Sequence, residues 1–86
     1  MSSIVIYTKD YCPYCAKAKG LLTKKQQNFT EYNIGAKPEL RAEMLSRSNG
    51  RSTVPQIFIN GQHIGGCDDL YALEDQGKLN ELLKGK

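Results

Sequence analysis

Residues 4–15 read Ile4-Val5-Ile6-Tyr7-Thr8-Lys9-Asp10-Tyr11-Cys12-Pro13-Tyr14-Cys15. The stretch opens as an apolar, β-branched run, the composition of a buried strand. It closes on two thiols separated by Pro13-Tyr14, where a helical pattern begins. Proline suits the first turn of a helix, because its missing N–H would be unpaired there anyway. Two cysteines at this spacing, at a strand-to-helix junction, fit reversible dithiol–disulfide chemistry. The helix start adds unpaired backbone N–H groups and a partial positive charge, which favour a thiolate on Cys12.

Outward from this junction, the strand is expected over Ser2 to Thr8. The helix should run to about Lys25, with Cys15, Ala18, Leu21 and Leu22 recurring at helical spacing. Phe29 to Ile34 alternates apolar and polar residues, as a half-buried strand does. Pro38 opens a second helix, with Leu40, Met44 and Leu45 inward and Ser48-Asn49-Gly50 as its stop. Gln56-Ile57-Phe58-Ile59 and Gln62-His63-Ile64-Gly65 flank Asn60-Gly61, the strongest short hairpin signal. A last helical stretch follows Gly65-Gly66, with Asp68 or Asp69 as N-cap. Its core face is Leu70, Leu73, Leu79, Leu82 and Leu83, and Gly77 divides it. The order β-α-β-α-β-β-α predicts an α/β fold. The first β-α-β unit implies a right-handed crossover and a parallel pair, and the closing hairpin adds two antiparallel strands. The expected product is a four-stranded mixed sheet with helices on both faces.

At 86 residues one domain over 1–86 is expected. A chain of this size buries roughly 60% of its unfolded surface, enough for a small core. A composition 40% hydrophobic and 24% charged reads as folded rather than disordered. No apolar run approaches the ~20 residues of a membrane span. Met1-Ser2-Ser3 before a strand pattern does not read as a signal peptide. A cytoplasmic location follows as an expectation, and in a reducing compartment a Cys-x-x-Cys is catalytic or metal-binding rather than a staple. The net charge of +3 is uneven: residues 1–25 hold five lysines against Asp10, while residues 26–86 hold seven basic and eight acidic side chains. The excess is either a solvated helix face or a field that attracts an anionic thiol partner. Nucleic-acid binding is not expected, since no basic run or interleaved aromatic platform is present.

Two further segments carry chemistry. Thr53-Val54-Pro55 precedes the third strand. A trans Pro there makes a rigid turn; a cis bond would leave the N–H and C=O of Val54 free to pair with an extended peptide. Gly65-Gly66-Cys67-Asp68-Asp69 opens the last helix, whose backbone N–H groups can hold a carboxylate while an Asp side chain holds an amine. A free amino acid head group offers both.

Cys12-Pro13-Tyr14-Cys15, Thr53-Val54-Pro55 and Gly65-Gly66-Cys67-Asp68-Asp69, in this order, resemble the three signature segments of the glutaredoxins. The resemblance covers Ile4 to about Leu83 and is nearest to the small dithiol glutaredoxins of bacteria. It implies a thioredoxin-like fold with Pro55 cis, no tightly bound cofactor, and glutathione as co-substrate. It implies disulfides or glutathione mixed disulfides as substrates, of proteins that the sequence does not identify. By the same resemblance Cys12 attacks and Cys15 resolves. Lys9 and Tyr14 flank the glutathione sulfur and glycine end, and Val54 pairs with the cysteinyl backbone. Thr53, Pro55, Gly66 and Cys67 line the site, and Asp68 (backbone) and Asp69 (side chain) hold the γ-glutamyl group. Arg51 or Gln56 is expected to reach the glycine carboxylate. Family potentials of about −200 to −230 mV lie near the cytosolic glutathione poise, so the couple runs either way.

The remaining reactive residues have plainer readings. Cys67 reads as a small semi-buried residue beside the groove, with a third redox thiol or a metal ligand as alternatives. His63 reads as structural. Tyr7, Tyr11, Tyr32 and Tyr71 read as packing residues, whereas the motif puts Tyr14 in the exposed active-site turn. A structural zinc site wants four N/S ligands, and only Cys12, Cys15, Cys67 and His63 exist, so no metal is expected. Bridging iron–sulfur clusters belong to glutaredoxins with one active-site thiol followed by Gly-Phe-Ser, a pattern this chain lacks. A reductant served by a flavoprotein would usually read Trp-Cys-Gly-Pro-Cys, and this chain has no Trp. A monomer without membrane or nucleic-acid partners is expected.

Overall fold

Alternation along one strand sets the layers of this fold. The structure, a computed structural model, describes residues 3–84. In β1 (Ile4–Thr8) successive side chains face opposite sides of the sheet. Ile4 and Ile6 join one apolar cluster, Val5 and Tyr7 the other. The chain continues through α1 (Pro13–Lys24), β2 (Thr30–Asn33), α2 (Pro38–Arg47), β3 (Gln56–Ile59), β4 (Gln62–Gly65), α3 (Cys67–Asp75) and α4 (Leu79–Lys84). The sheet order is β2-β1-β3-β4. β1 pairs in parallel with β2 and antiparallel with β3, and β3 pairs antiparallel with β4. The sheet is mixed and four-stranded, with helices on both faces, as expected.

The first cluster packs Ala18, Leu21 and Leu22 of α1, Leu70 of α3, and Leu79 and Leu83 of α4 against Ile4, Ile6, Ile57 and Ile59. The second packs Met44 of α2 against Tyr7, Ile34 and Phe58. β3 is buried at all four positions because helices cover both of its faces. Polar contacts fix α2 to the sheet. The Tyr7 hydroxyl donates to Glu43 and accepts from Arg47 at 2.8 Å, and the Arg47 guanidinium lies 4.5 Å from the Phe58 ring centre. Burial, ahead of the Glu43 hydrogen bond, raises the Tyr7 hydroxyl above its ordinary pKa.

The β3–β4 turn has Asn60 at φ 53 and Gly61 at φ 82, the double left-handed conformation a two-residue hairpin requires. Asn60 also ties down the start of β1: its N–H donates to the Ser3 carbonyl at 2.7 Å, and its side chain accepts from the Ser3 N–H at 2.9 Å. The last helix divides around Gly77 as expected. The anticipated strand start at Ser2 lies outside the described residues, and β2 is confined to Thr30–Asn33.

Two expectations are corrected. The N-cap of α3 is Gly66, not Asp68 or Asp69. Tyr11 does not pack: it is fully exposed, with φ 58, because the tight turn from β1 into α1 swings its side chain into solvent. Tyr7 is buried, and Tyr32 and Tyr71 are half-buried against the two clusters.

Candidate active site

β1 stops at Thr8, and the turn through Lys9–Tyr11 delivers Cys12 as the N-cap of α1. Its sulfur stands where a Ser or Asp oxygen ordinarily caps a helix. The Cys15 N–H donates to Cys12 Sγ at 3.2 Å, so a first-turn amide and the positive end of the helix both face this sulfur. The Cys12 thiol lies 3.9 Å from the Val54 carbonyl. Cys12 is half-buried, and Cys15, one turn later, is buried; both are free thiols, as is Cys67. Burial first, then the hydrogen bond to the Cys12 side chain, push the Cys15 thiol up to about 12. The Lys9 backbone N–H and the Lys19 charge oppose this.

Val54 and Thr53 form a ridge next to Cys12, with a groove on either side. One groove, about 310 Å³, has Arg51, Thr53, Val54 and Pro55 along one wall and Gly66, Cys67, Asp68 and Asp69 along the other, with Tyr14 at its edge. The Val54–Pro55 peptide is cis. The N–H groups of Cys67, Asp68 and Asp69 belong to the first turn of α3 and have no intrahelical acceptor. The Asp69 carboxylate accepts the Gly66 N–H at 2.9 Å and lies 3.5 Å from Arg51. Gly66 has no side chain, so this one bond from the N3 residue is the side-chain cap of α3. Gly65 sits at φ +119, and a Cβ there would fall 2.2 Å from Asp69 Oδ2. The second groove, about 510 Å³, joins Lys9, Cys12, Arg41, Ser52, Thr53 and Val54 over a floor of Ile34 and Gly35.

The structure therefore gathers Tyr14, Thr53, Val54, Pro55, Gly66, Cys67, Asp68 and Asp69 around one groove, and puts Lys9 beside Cys12 in the other. Gln56 does not reach either. It is fully buried, and its amide is engaged by Thr53 and His63. Arg51 lines the first groove beside Asp69, 3.5 Å from its carboxylate. The cation facing the second groove with Lys9 is Arg41, which the sequence reading did not single out. No motif marks it; its position depends on how α2 packs on the sheet.

Cys67 is buried in the groove wall, and burial chiefly raises its thiol, against the Lys17 charge. His63 stacks on Phe58 and lies 2.6 Å from Gln56, and burial followed by the Arg51 charge lowers its pKa. Among the described residues no cluster of three or more His, Cys, Asp or Glu side chains is arranged to hold a metal ion, and no helix is long and apolar enough to cross a membrane.

Comparison with known proteins agrees with this fold. The family model described as glutaredoxin matches residues 4–64. Glutaredoxin 3 of Escherichia coli is 57% identical over 84 residues, covering 98% of this chain and 100% of the relative. The solution structure of a glutaredoxin from Brucella melitensis superposes with a TM-score of 0.84 at 62% identity, over 98% of this chain and 91% of that one. A buckwheat glutaredoxin–glutathione complex superposes at 0.87 with 31% identity, over 96% and 77%. Fold and thiol pair define a thioredoxin-like thiol oxidoreductase. The chain belongs to the glutaredoxin family, whose members are glutathione-dependent enzymes of this kind.

Proposed function

We propose that this protein reduces glutathione mixed disulfides through Cys12 alone and protein disulfides through Cys12 and Cys15, with glutathione as the electron donor. The observation that carries the reading is the pair of unlike grooves on either side of the Thr53–Val54 ridge, beside the Cys12 sulfur. One ends in a carboxylate beside free helix N–H groups, and the other carries two cations. Glutathione has a matching layout: an ammonium and a carboxylate on its γ-glutamyl group, a thiol in the middle, a carboxylate on its glycine. Asp69 and the α3 amides suit the first end, Lys9 and Arg41 the last, and the Val54 backbone the peptide between. Tyr14 covers the sulfur from the exposed side. The buckwheat relative, solved as a glutaredoxin–glutathione complex, supports glutathione as the ligand.

In the monothiol route the Cys12 thiolate attacks the glutathione sulfur of the mixed disulfide. A Cys12–glutathione disulfide forms, the original S–S bond breaks, and the departing thiolate takes up a proton. The thiolate of a second glutathione attacks the glutathione sulfur of the adduct, forming glutathione disulfide and returning Cys12. In the dithiol route Cys12 attacks a protein disulfide and releases one thiol. Cys15 then attacks the Cys12 sulfur, releasing the second thiol and closing a Cys12–Cys15 disulfide, which two glutathiones reduce. Enzymes that form a disulfide in every turnover, ribonucleotide reductase among them, are the proposed protein substrates, met in the cytoplasm by a monomeric one-domain protein. The test is glutathione-coupled reduction of a small glutathione mixed disulfide by wild type and Cys12→Ser. Turnover abolished by the substitution is expected. No turnover in the wild type would overturn the reading.

A further inference from the structure

A fully enclosed amide lies beneath the ridge of Thr53 and Val54. Gln56 opens β3 and has no exposed surface. Its Nε2 donates to the Thr53 carbonyl at 3.0 Å and reaches the Thr53 hydroxyl at 3.2 Å. Its Oε1 lies 2.6 Å from His63 Nε2. The Thr53 carbonyl only accepts, so the Gln56 NH2 must face it and the Gln56 oxygen must face His63. His63 therefore carries its hydrogen on Nε2 and donates. The imidazole is itself held, stacked on Phe58 with ring centres 4.9 Å apart and paired with Phe58 across the β3–β4 ladder.

We infer that His63 is a positioning residue for substrate binding, which acts through Gln56 to aim the Val54 N–H into the groove. One peptide unit connects the two ends. The Thr53–Val54 peptide is planar and trans, so its C=O and N–H point in opposite directions. With the Thr53 carbonyl turned inward onto Gln56, the Val54 N–H turns outward. Among the described residues that N–H has no partner. It is the group that the proposed glutathione site uses to pair with the ligand backbone, and the inference rests on that site. Removing the His63 donor leaves the Gln56 oxygen buried without a partner, a cost that the two bonds to Thr53 must then carry alone. The unpaired oxygen favours conformations in which the Gln56 side chain leaves this enclosed position for water, and leaving breaks its bonds to Thr53 and loosens the ridge. His63 makes no contact with the Cys12 sulfur, whose first-turn amide partner comes from Cys15, so the main effect falls on binding rather than on chemistry.

The test measures KM and kcat for glutathionyl-mercaptoethanol in wild type, His63→Leu, His63→Gln and, as a control for the groove, Asp69→Ala. In His63→Leu the KM should rise about three- to ten-fold, the effect of one lost hydrogen bond, with kcat nearly unchanged. His63→Gln, whose amide can donate to Gln56, should restore a KM near that of wild type. Labelling of Cys12 by iodoacetamide should keep its wild-type rate in both. If Asp69→Ala raises KM but His63→Leu does not, or if His63→Gln fails to rescue, the relay is overturned and the groove stands. If Asp69→Ala also leaves KM unchanged, the groove assignment falls and the relay falls with it. Should His63→Leu not fold, His63→Asn decides, since its amide is one methylene shorter. A KM raised above that of His63→Gln supports the relay, and equal values overturn it.

Discussion

Asp69 holds two structural contacts and is assigned a third with the substrate, and two substitutions separate them. Its carboxylate caps α3 through the Gly66 N–H at 2.9 Å and pairs with Arg51 at 3.5 Å. Loss of a helix cap costs about 1 kcal/mol. The ion pair is about half-exposed on both sides (46% and 48%), and such pairs contribute about 0.5 kcal/mol or less. Asp69→Ala loses both, about 1.5 kcal/mol, which for a domain of this size lowers Tm by about 6–12 °C. Asp69→Asn keeps an oxygen for the Gly66 N–H and loses only the charge, so its Tm should fall by no more than about 2–4 °C. Substrate binding should respond differently. A hydrogen bond to an ammonium contributes about 1.5–3 kcal/mol, and partial exposure favours the lower end, so both variants should raise KM for a glutathione mixed disulfide about ten-fold. Both also leave the Arg51 cation unpaired next to the position assigned to the substrate ammonium. The assay is steady-state kinetics with a thermal melt of each variant. A lower kcat at unchanged KM would refute a binding role. A wild-type KM in Asp69→Asn would refute the argument from charge.

Cys15→Ser should keep turnover of glutathione mixed disulfides and lose most reduction of protein disulfides; loss of both activities would refute the assigned roles. Gly65→Ala forces a side chain into φ +119 and puts its Cβ 2.2 Å from Asp69 Oδ2. The backbone conformation alone costs about 1–3 kcal/mol, so Tm should fall and KM should rise together; an unchanged KM would mean that Asp69 is not held where it acts. With the Cys15 thiol pushed up to about 12, iodoacetamide at pH 8 should label Cys12 of the native reduced protein first and reach Cys15 only slowly. The unfolded thiol ionises nearer its ordinary value of 9.0, so the unfolded chain loses this proton first. Reduced-state stability should then decline as pH rises from about 9 toward 12, and a flat Tm across that window in wild type compared with Cys15→Ser would refute the assignment.

The parts of the fold legible in the sequence are those set by neighbours along the chain. The strand-to-thiol-to-helix junction, the Asn60-Gly61 hairpin and the division at Gly77 each depend on a few consecutive residues. The two faces of the sheet follow from period-2 alternation in β1, which separates Ile4 and Ile6 from Val5 and Tyr7. The misread residues are those whose environment comes from elsewhere. In the sequence Gln56 reads as a polar residue free to meet a ligand. Alternation puts it on the same face as Phe58, and its partners come from the preceding loop and from β4. Arg41 joins Lys9 because of where α2 packs. The sequence points to an aspartate as the cap of α3 because side-chain oxygens are the usual caps, but the chain puts Gly66 there and lets Asp69 reach back from N3. The apolar ring of Tyr11 suggests packing, while a backbone at positive φ in a short turn decides its exposure.

The order of events in the proposed dithiol route follows from what holds the Cys15 proton. Of the influences that raise its pKa, the hydrogen bond to the Cys12 side chain and the charge on Cys12 both require a free Cys12 sulfur. Capture of that sulfur in a mixed disulfide removes the charge and weakens the acceptor. Burial remains, now opposed by the Lys9 backbone N–H and the Lys19 charge. Cys15 therefore ionises more readily once Cys12 is occupied, which is when a second nucleophile is required. Before substrate arrives, the protonated and buried Cys15 does not compete with Cys12 for a disulfide. The same covalent step that creates the intermediate thus favours the thiolate that resolves it, and the single helical turn between Cys12 and Cys15 is what couples the two sulfurs.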